Sequence, residues 1–186
     1  MKPAWHERLK KSIAKNKRDA HNRYFQLATV AEDGTPRVRM VVFRGFSDDG
    51  LSLSIITDAR SQKVSELGLC SSVEIGWYFT HTREQYRLRC DSKIYSAADG
   101  SQDSLDKRER IWSVLSDAAK EQFFWRTPGV PEGTGDAPGI TETPPDTFAV
   151  IVFEPHAVDH LVLAKQQTRT HSVQVDGGWS DHALNP

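Results

Sequence analysis

Cysteine is scarce in this chain of 186 residues: only Cys70 and Cys90 occur, with no CxxC spacing. That excludes a disulfide framework and a thiolate zinc site, and leaves each thiol a shielded, structural role. Long apolar runs are missing too. No stretch approaches the run of about 20 apolar residues that a membrane span needs. The opening MKPAWHERLKKSIAKNKRDA is basic but lacks the apolar centre of a secretory signal, so the expectation is a cytoplasmic protein. Net charge is nearly absent: 24 basic residues face 25 acidic ones, giving −1. No general field attracts a phosphate backbone, and neither nucleic acid nor a membrane is expected as a partner. GxSxG, HExxH and Walker loops are all lacking, so hydrolase chemistry has no local support. GTGDAPG (133–139) imitates a dinucleotide fingerprint, but Pro138 occupies its sixth position and no strand precedes it. His156 and His160, if on one strand, stand about 13 Å apart, too far to share a metal.

What is present is an ordinary globular composition, 38% hydrophobic and 26% charged, sized for one domain over 1–186. Residues 3–18 have helical spacing, with Trp5, Leu9 and Ile13 on one stripe and a solvated basic face opposite. Strand patterns follow at 24–31, 37–46 and 51–57, separated by EDGTP and SDDG turn signals, so the first half reads as an antiparallel meander. Helical spacing returns at 58–69, with Asp58 or Ser61 as cap. Period two resumes at 72–80 and 83–97, one or two helices occupy 103–125, and TFAVIVFEP, AVDHLVLAK and THSVQV restore strand character. Residues 127–145 hold five prolines and four glycines and read as a loop or lid. The tryptophans at 5, 77, 112, 125 and 179 are expected to fill cores or interfaces. The pattern predicts a mainly β fold with flanking helices, an antiparallel closed or partly closed barrel.

RVRMVVFRGF (37–46) carries arginine on both faces of one strand: Arg37, Arg39, Val41 and Phe43 on one side, Val38, Met40, Val42 and Arg44 on the other. Burying a guanidinium is costly unless an anion meets it. TDARSQK (57–63) supplies the matching half. A strand ending at Thr57 that turns into a helix start offers unpaired backbone N–H groups, hydroxyls from Thr57 and Ser61, and the cations Arg60 and Lys63. Consecutive antiparallel strands are usually neighbours, so Arg39 and Arg44 are expected beside this turn, holding a phosphate, while Arg37 is solvated. REQYRLRC (83–90) places Gln85, Arg87 and Arg89 on one face, where an amide suits a heterocyclic ring edge.

Taken in order, FQLATVAEDGTPRVRMVVFRGF, TDARSQK, WYFTHTREQYRLR and the terminal DGGW…LNP resemble the pyridoxamine 5′-phosphate oxidase-related FMN-binding proteins. The likeness spans most of residues 22–186. It implies an FMN-binding split β-barrel, a homodimer with FMN at the subunit interface, and a small-molecule substrate. It also implies flavin contacts from Arg39, Met40, Val41, Val42, Arg44, Ile56, Thr57, Gln62, Lys63, Gln85, Ser116 and Arg169. Departures from the oxidases accompany it. Arg44 stands where they have lysine and Gln62 where they have arginine. Lys165, Gln166 and Gln167 replace their Arg-x-His, and no Tyr, Arg and Ser set for a substrate phosphate is found around 99–107. The resemblance therefore implies FMN-dependent redox chemistry on a different small molecule. The alternatives are a true pyridoxamine or pyridoxine 5′-phosphate oxidase, a non-catalytic FMN-binding or flavin-storage protein, and a split barrel holding deazaflavin or haem.

Overall fold

A computed structural model describes residues 2–186. Helix α1 (Ala4–Lys15) leads into β1 (Tyr24–Val30), β2 (Pro36–Val42), β3 (Gly45–Phe46), β4 (Leu53–Asp58), α2 (Gln62–Leu69), β5 (Ser72–Phe79) and β6 (Glu84–Tyr95). Then come α3 (Gln102–Ser113), α4 (Asp117–Glu121), β7 (Phe148–Val162), β8 (Thr168–Val175) and β9 (Gly178–Leu184). The strands form one curled antiparallel sheet in the order β2-β1-β5-β6-β7-β4-β3, with β8 and β9 continuing from the far half of β7.

Alternation drives the curl. Phe25 and Leu27 of β1, Ile75, Trp77 and Phe79 of β5, and Tyr86 and Leu88 of β6 point inward and are essentially solvent-free. Ile55, Phe153 and Val158 complete this core, and α1 lays Trp5 and Leu9, both fully buried, over one end. A second, smaller core gathers Tyr95, Trp112, Phe123, Phe148, Val150 and Val152 beneath α3. The hairpin turn between β8 and β9 needs positive φ at both central positions, and Asp176 (φ 47°) and Gly177 (φ 77°) supply it.

Three expectations change. The first half is not a simple meander: β4 pairs with β7 and β3, and β2 is an edge strand bonded to β1 alone among the described strands. The chain changes partners at the bend, where the Phe43 amide donates to the Arg23 carbonyl and the Arg44 amide to the Ser54 carbonyl. TFAVIVFEP and AVDHLVLAK form one strand of fifteen residues, because the register with β6 shifts opposite Arg89 and Cys90 and absorbs Pro155 and His156 as an irregularity. Of the two places expected for Trp125, core or interface, the core is ruled out, because the residue is 62% exposed. The loop expected at 127–145 does lie between elements, and no described helix is long and apolar enough to cross a membrane.

Candidate functional site

The turn from β4 into α2 brings Thr57, Ser61 and Lys63 together. The Lys63 ammonium donates to Thr57 Oγ1 at 2.8 Å and to Ser61 Oγ at 2.9 Å. Among the described residues it meets no carboxylate within ion-pair distance. Burial lowers its pKa, and the neighbouring charge of Arg39 lowers it further. Ser61 is the N-cap of α2, yet its hydroxyl donates to the Asp58 carbonyl instead of capping the helix. The first amides of α2 are therefore left for another acceptor. A half-buried cation with hydroxyl partners, at the positive end of a helix, is suited to a phosphate monoester.

Arg39 reaches the same place although β2 and β4 share no ladder. Paired with Leu27, it points to the inner side of the sheet, at its open edge. Its Nη1 donates to the Thr29 hydroxyl and, at 3.3 Å, to the Leu27 carbonyl, while Nη2 lies 2.7 Å from Glu66 Oε2. Arg60, expected as a phosphate donor, is engaged elsewhere. It forms a two-pronged pair with Asp58 (3.0 and 2.7 Å) and donates to the carbonyls of Trp125 and Asp136, fastening the Pro/Gly-rich loop. Gln62 is exposed at the start of α2, Arg37 is exposed as expected, and Val41 is buried in the main core.

The outer face of the sheet forms a second region. Residues directly opposite on adjacent strands share a face, so Val38, Met40 and Val42, Gln26 and Ala28, Glu74, Gly76 and Tyr78, and Gln85 and Arg87 line one surface. A cavity of about 490 Å³ opens there, floored by Gly76 and bordered by Gln26, Tyr78, Gln85 and Arg87. A neighbouring cavity of about 390 Å³ contains Arg169, whose guanidinium is held by Asp159 (2.8 Å), with Arg87 and Glu74 (2.5 Å apart) on the shared wall. A third hollow, of about 310 Å³, lies behind β4 between Arg44, Ile56, Lys107, Arg110 and Leu115.

The twelve expected residues thus fall into separate places. Arg39, Thr57 and Lys63 converge, with Gln62 at the same helix start. Met40, Val42 and Gln85 share the outer face, with Arg169 farther along it. Arg44 and Ile56 line the third hollow. Ser116 instead caps α4, accepting from the Ala119 amide at 3.4 Å, and shares no hydrogen bond with the Lys63 cluster. Glu66 and Thr29 were not singled out from the sequence. The available signal was the i, i+3 spacing of Lys63 and Glu66, which puts both on one side of α2.

Comparison with known proteins bears on the family and the fold. The sequence model described as pyridoxamine 5′-phosphate oxidase, FMN-binding domain, matches residues 2–96, the stretch that carries Arg39, Lys63 and Gln85. Pyridoxine/pyridoxamine 5′-phosphate oxidase 2 of Arabidopsis thaliana is 31% identical over 98% of this chain and 96% of its own. A crystal structure from Nostoc punctiforme, of a pyridoxamine 5′-phosphate oxidase-related, FMN binding protein, superposes with a TM-score of 0.93 at 36% identity, covering both chains completely. PhzG of Burkholderia lata, crystallised with tetrahydrophenazine-1-carboxylic acid, shares the fold: TM-score 0.73 at 16% identity, over 97% of this chain and 91% of the other.

Proposed function

The chain belongs to the pyridoxamine 5′-phosphate oxidase FMN-binding family, and from that premise we propose that it is a dimeric FMN-dependent oxidoreductase acting on a small organic molecule other than pyridoxamine phosphate. The observation that carries the reading is the Lys63 ammonium, half-buried among hydroxyls with no carboxylate partner, at the N-terminus of α2. The residues fit the cofactor. On the inner side of the sheet Lys63, Thr57, Ser61 and Arg39 would hold its phosphate, whereas Gln85 lies on the outer face beside the 490 Å³ cavity and would address the ring edge of a flavin held across a subunit interface. Bound flavin supplies two-electron redox chemistry of its own, so the protein's tasks are to orient the substrate and shield it from water. No side-chain nucleophile is required, in keeping with the lack of hydrolase motifs in the sequence. The substrate reading rests on the departures at Arg44, Gln62 and Lys165–Gln167. A second copy would complete the site by covering the outer face, where Val38 and Met40 are 69% and 54% exposed.

The experiment is to purify the chain, record the visible spectrum and mass of any copurifying molecule, and titrate FMN into stripped protein. One FMN per chain, reduced by one member of an amine and phosphorylated-amine panel other than pyridoxamine phosphate and reoxidised by oxygen, supports the proposal. Peroxide release with pyridoxamine phosphate alone would support the oxidase reading. FMN that no donor reduces would support storage, and a Soret band or a deazaflavin mass would replace FMN altogether.

A further inference from the structure

Glu66 stands one turn of α2 beyond Lys63 and is 3% exposed. Its Oε2 accepts from the Thr29 hydroxyl at 2.6 Å and from Arg39 Nη2 at 2.7 Å, while Oε1 is buried without any hydrogen-bond partner. A carboxylate in such a place is costly, and an oxygen left unpaired adds to the cost. An amide or an apolar contact would tie β2 to α2 without that penalty. What only a carboxylate contributes here is charge. Arg39 and Lys63 bring two positive charges into one partly buried corner, where they repel, and Glu66 is the acidic group bonded to Arg39 among them.

We propose that Glu66 is the internal counter-ion of the phosphate grip, a positioning residue that holds Arg39 beside Lys63 before FMN arrives and opposes the phosphate once it is bound. The inference rests on the assignment of FMN phosphate to this corner. Two consequences follow from its sign. The cofactor-free protein is stabilised, because Glu66 pairs with Arg39 and offsets part of the charge that Arg39 and Lys63 bring together. FMN is held less tightly than the cations alone would hold it, so the flavin exchanges more readily.

The test compares full-length wild type, Glu66→Gln, Arg39→Ala and the double variant, each stripped of and titrated with FMN, by flavin fluorescence and thermal midpoint. Glutamine keeps an oxygen for Thr29 and Arg39 and removes the charge. Stripped Glu66→Gln is expected to melt lower than stripped wild type. It should bind FMN about tenfold tighter at low salt, with the gap closing as ionic strength rises. The double variant should bind at least about tenfold tighter than Arg39→Ala, in which Glu66 faces the phosphate uncompensated. Equal or weaker FMN binding by Glu66→Gln at every salt concentration, with no rescue of Arg39→Ala, would reduce Glu66 to a tether. If Glu66→Gln does not fold, the Arg39→Ala pair decides. Lys63→Ala is titrated alongside. Undiminished FMN affinity in that variant overturns the phosphate assignment itself, whereas loss of affinity there without a Glu66 effect overturns the counter-ion role alone.

Discussion

Lys63 Nζ lies 2.8 Å from the Thr57 hydroxyl, a contact that joins the end of β4 to the first turn of α2 and leaves the ammonium facing no carboxylate. A charge-assisted hydrogen bond to an anion contributes about 1.5–3 kcal/mol. Lys63→Ala is therefore expected to weaken FMN binding by about tenfold to about a hundredfold. Fluorescence titration of the stripped variant measures this. The fold should survive, because Thr57 and Ser61 remain within 3.3 Å of each other.

The exposed strip of Val38 and Met40 lies on the same sheet face as Gln85 and the 490 Å³ cavity. Replacing both with glutamate puts like charges into a face that the proposed dimer would bury. Sedimentation velocity should show a monomer, with weakened flavin retention. A wild type that already sediments as a monomer would remove the interface.

Glu84 joins α1 to the barrel. Its Oε2 accepts from Ser12 (2.5 Å) and Tyr86 (3.1 Å) and lies 3.1 Å from His160 Nε2, while the Tyr86 and His160 rings stack 4.2 Å apart. Burial works to raise its pKa, yet hydrogen bonds from His160, Ser12 and Thr82 together outweigh it and hold the carboxyl at about 2. Because the folded value is depressed, the stabilisation is complete above the ordinary glutamate value of 4.5 and is lost as pH falls from there through about 2. Thermal melts followed by circular dichroism should show wild type losing stability over that interval. Glu84→Gln should be less stable at pH 7 and flatter between pH 5 and 2, relative to its own baseline.

Arg60 secures the Pro/Gly-rich loop through the carbonyls of Trp125 and Asp136. Arg60→Ala is expected to speed limited proteolysis within 126–146 by about tenfold, with the barrel left intact. Unchanged cleavage would show that the loop is held mainly by its other ties, among them the Arg126 bond to the Gly135 carbonyl.

Local pattern carried much of the fold. The stripe of Trp5, Leu9 and Ile13 did become the buried face of α1, and alternation located β1, β5 and β6 within a residue or two. Pairing was harder to read, because which strands adjoin depends on how the sheet curls, and no residue of β2 announces that β4 will choose β7 instead. Pro155 lacks the donor a ladder needs, and the register shift beside Cys90 lets the strand run on past it, so the two apolar runs on either side are one element. Lys63 and Thr57 were legible as a cation and a hydroxyl at a strand-to-helix turn. Glu66 was not, since an acidic residue on a short helix ordinarily faces water. Arg169 was reached through resemblance, and the ion pair with Asp159 that fixes its direction is a cross-strand relation that only the β7–β8 register reveals.

Because Arg39 sits on a strand with a free border, replacing the outward-facing Val38 or Met40 of β2 disturbs a single ladder and leaves the enclosed hydrophobic centre intact, whereas Val41 reaches into that centre. Changes confined to those outward positions therefore reshape one rim of the sheet without altering the architecture behind it.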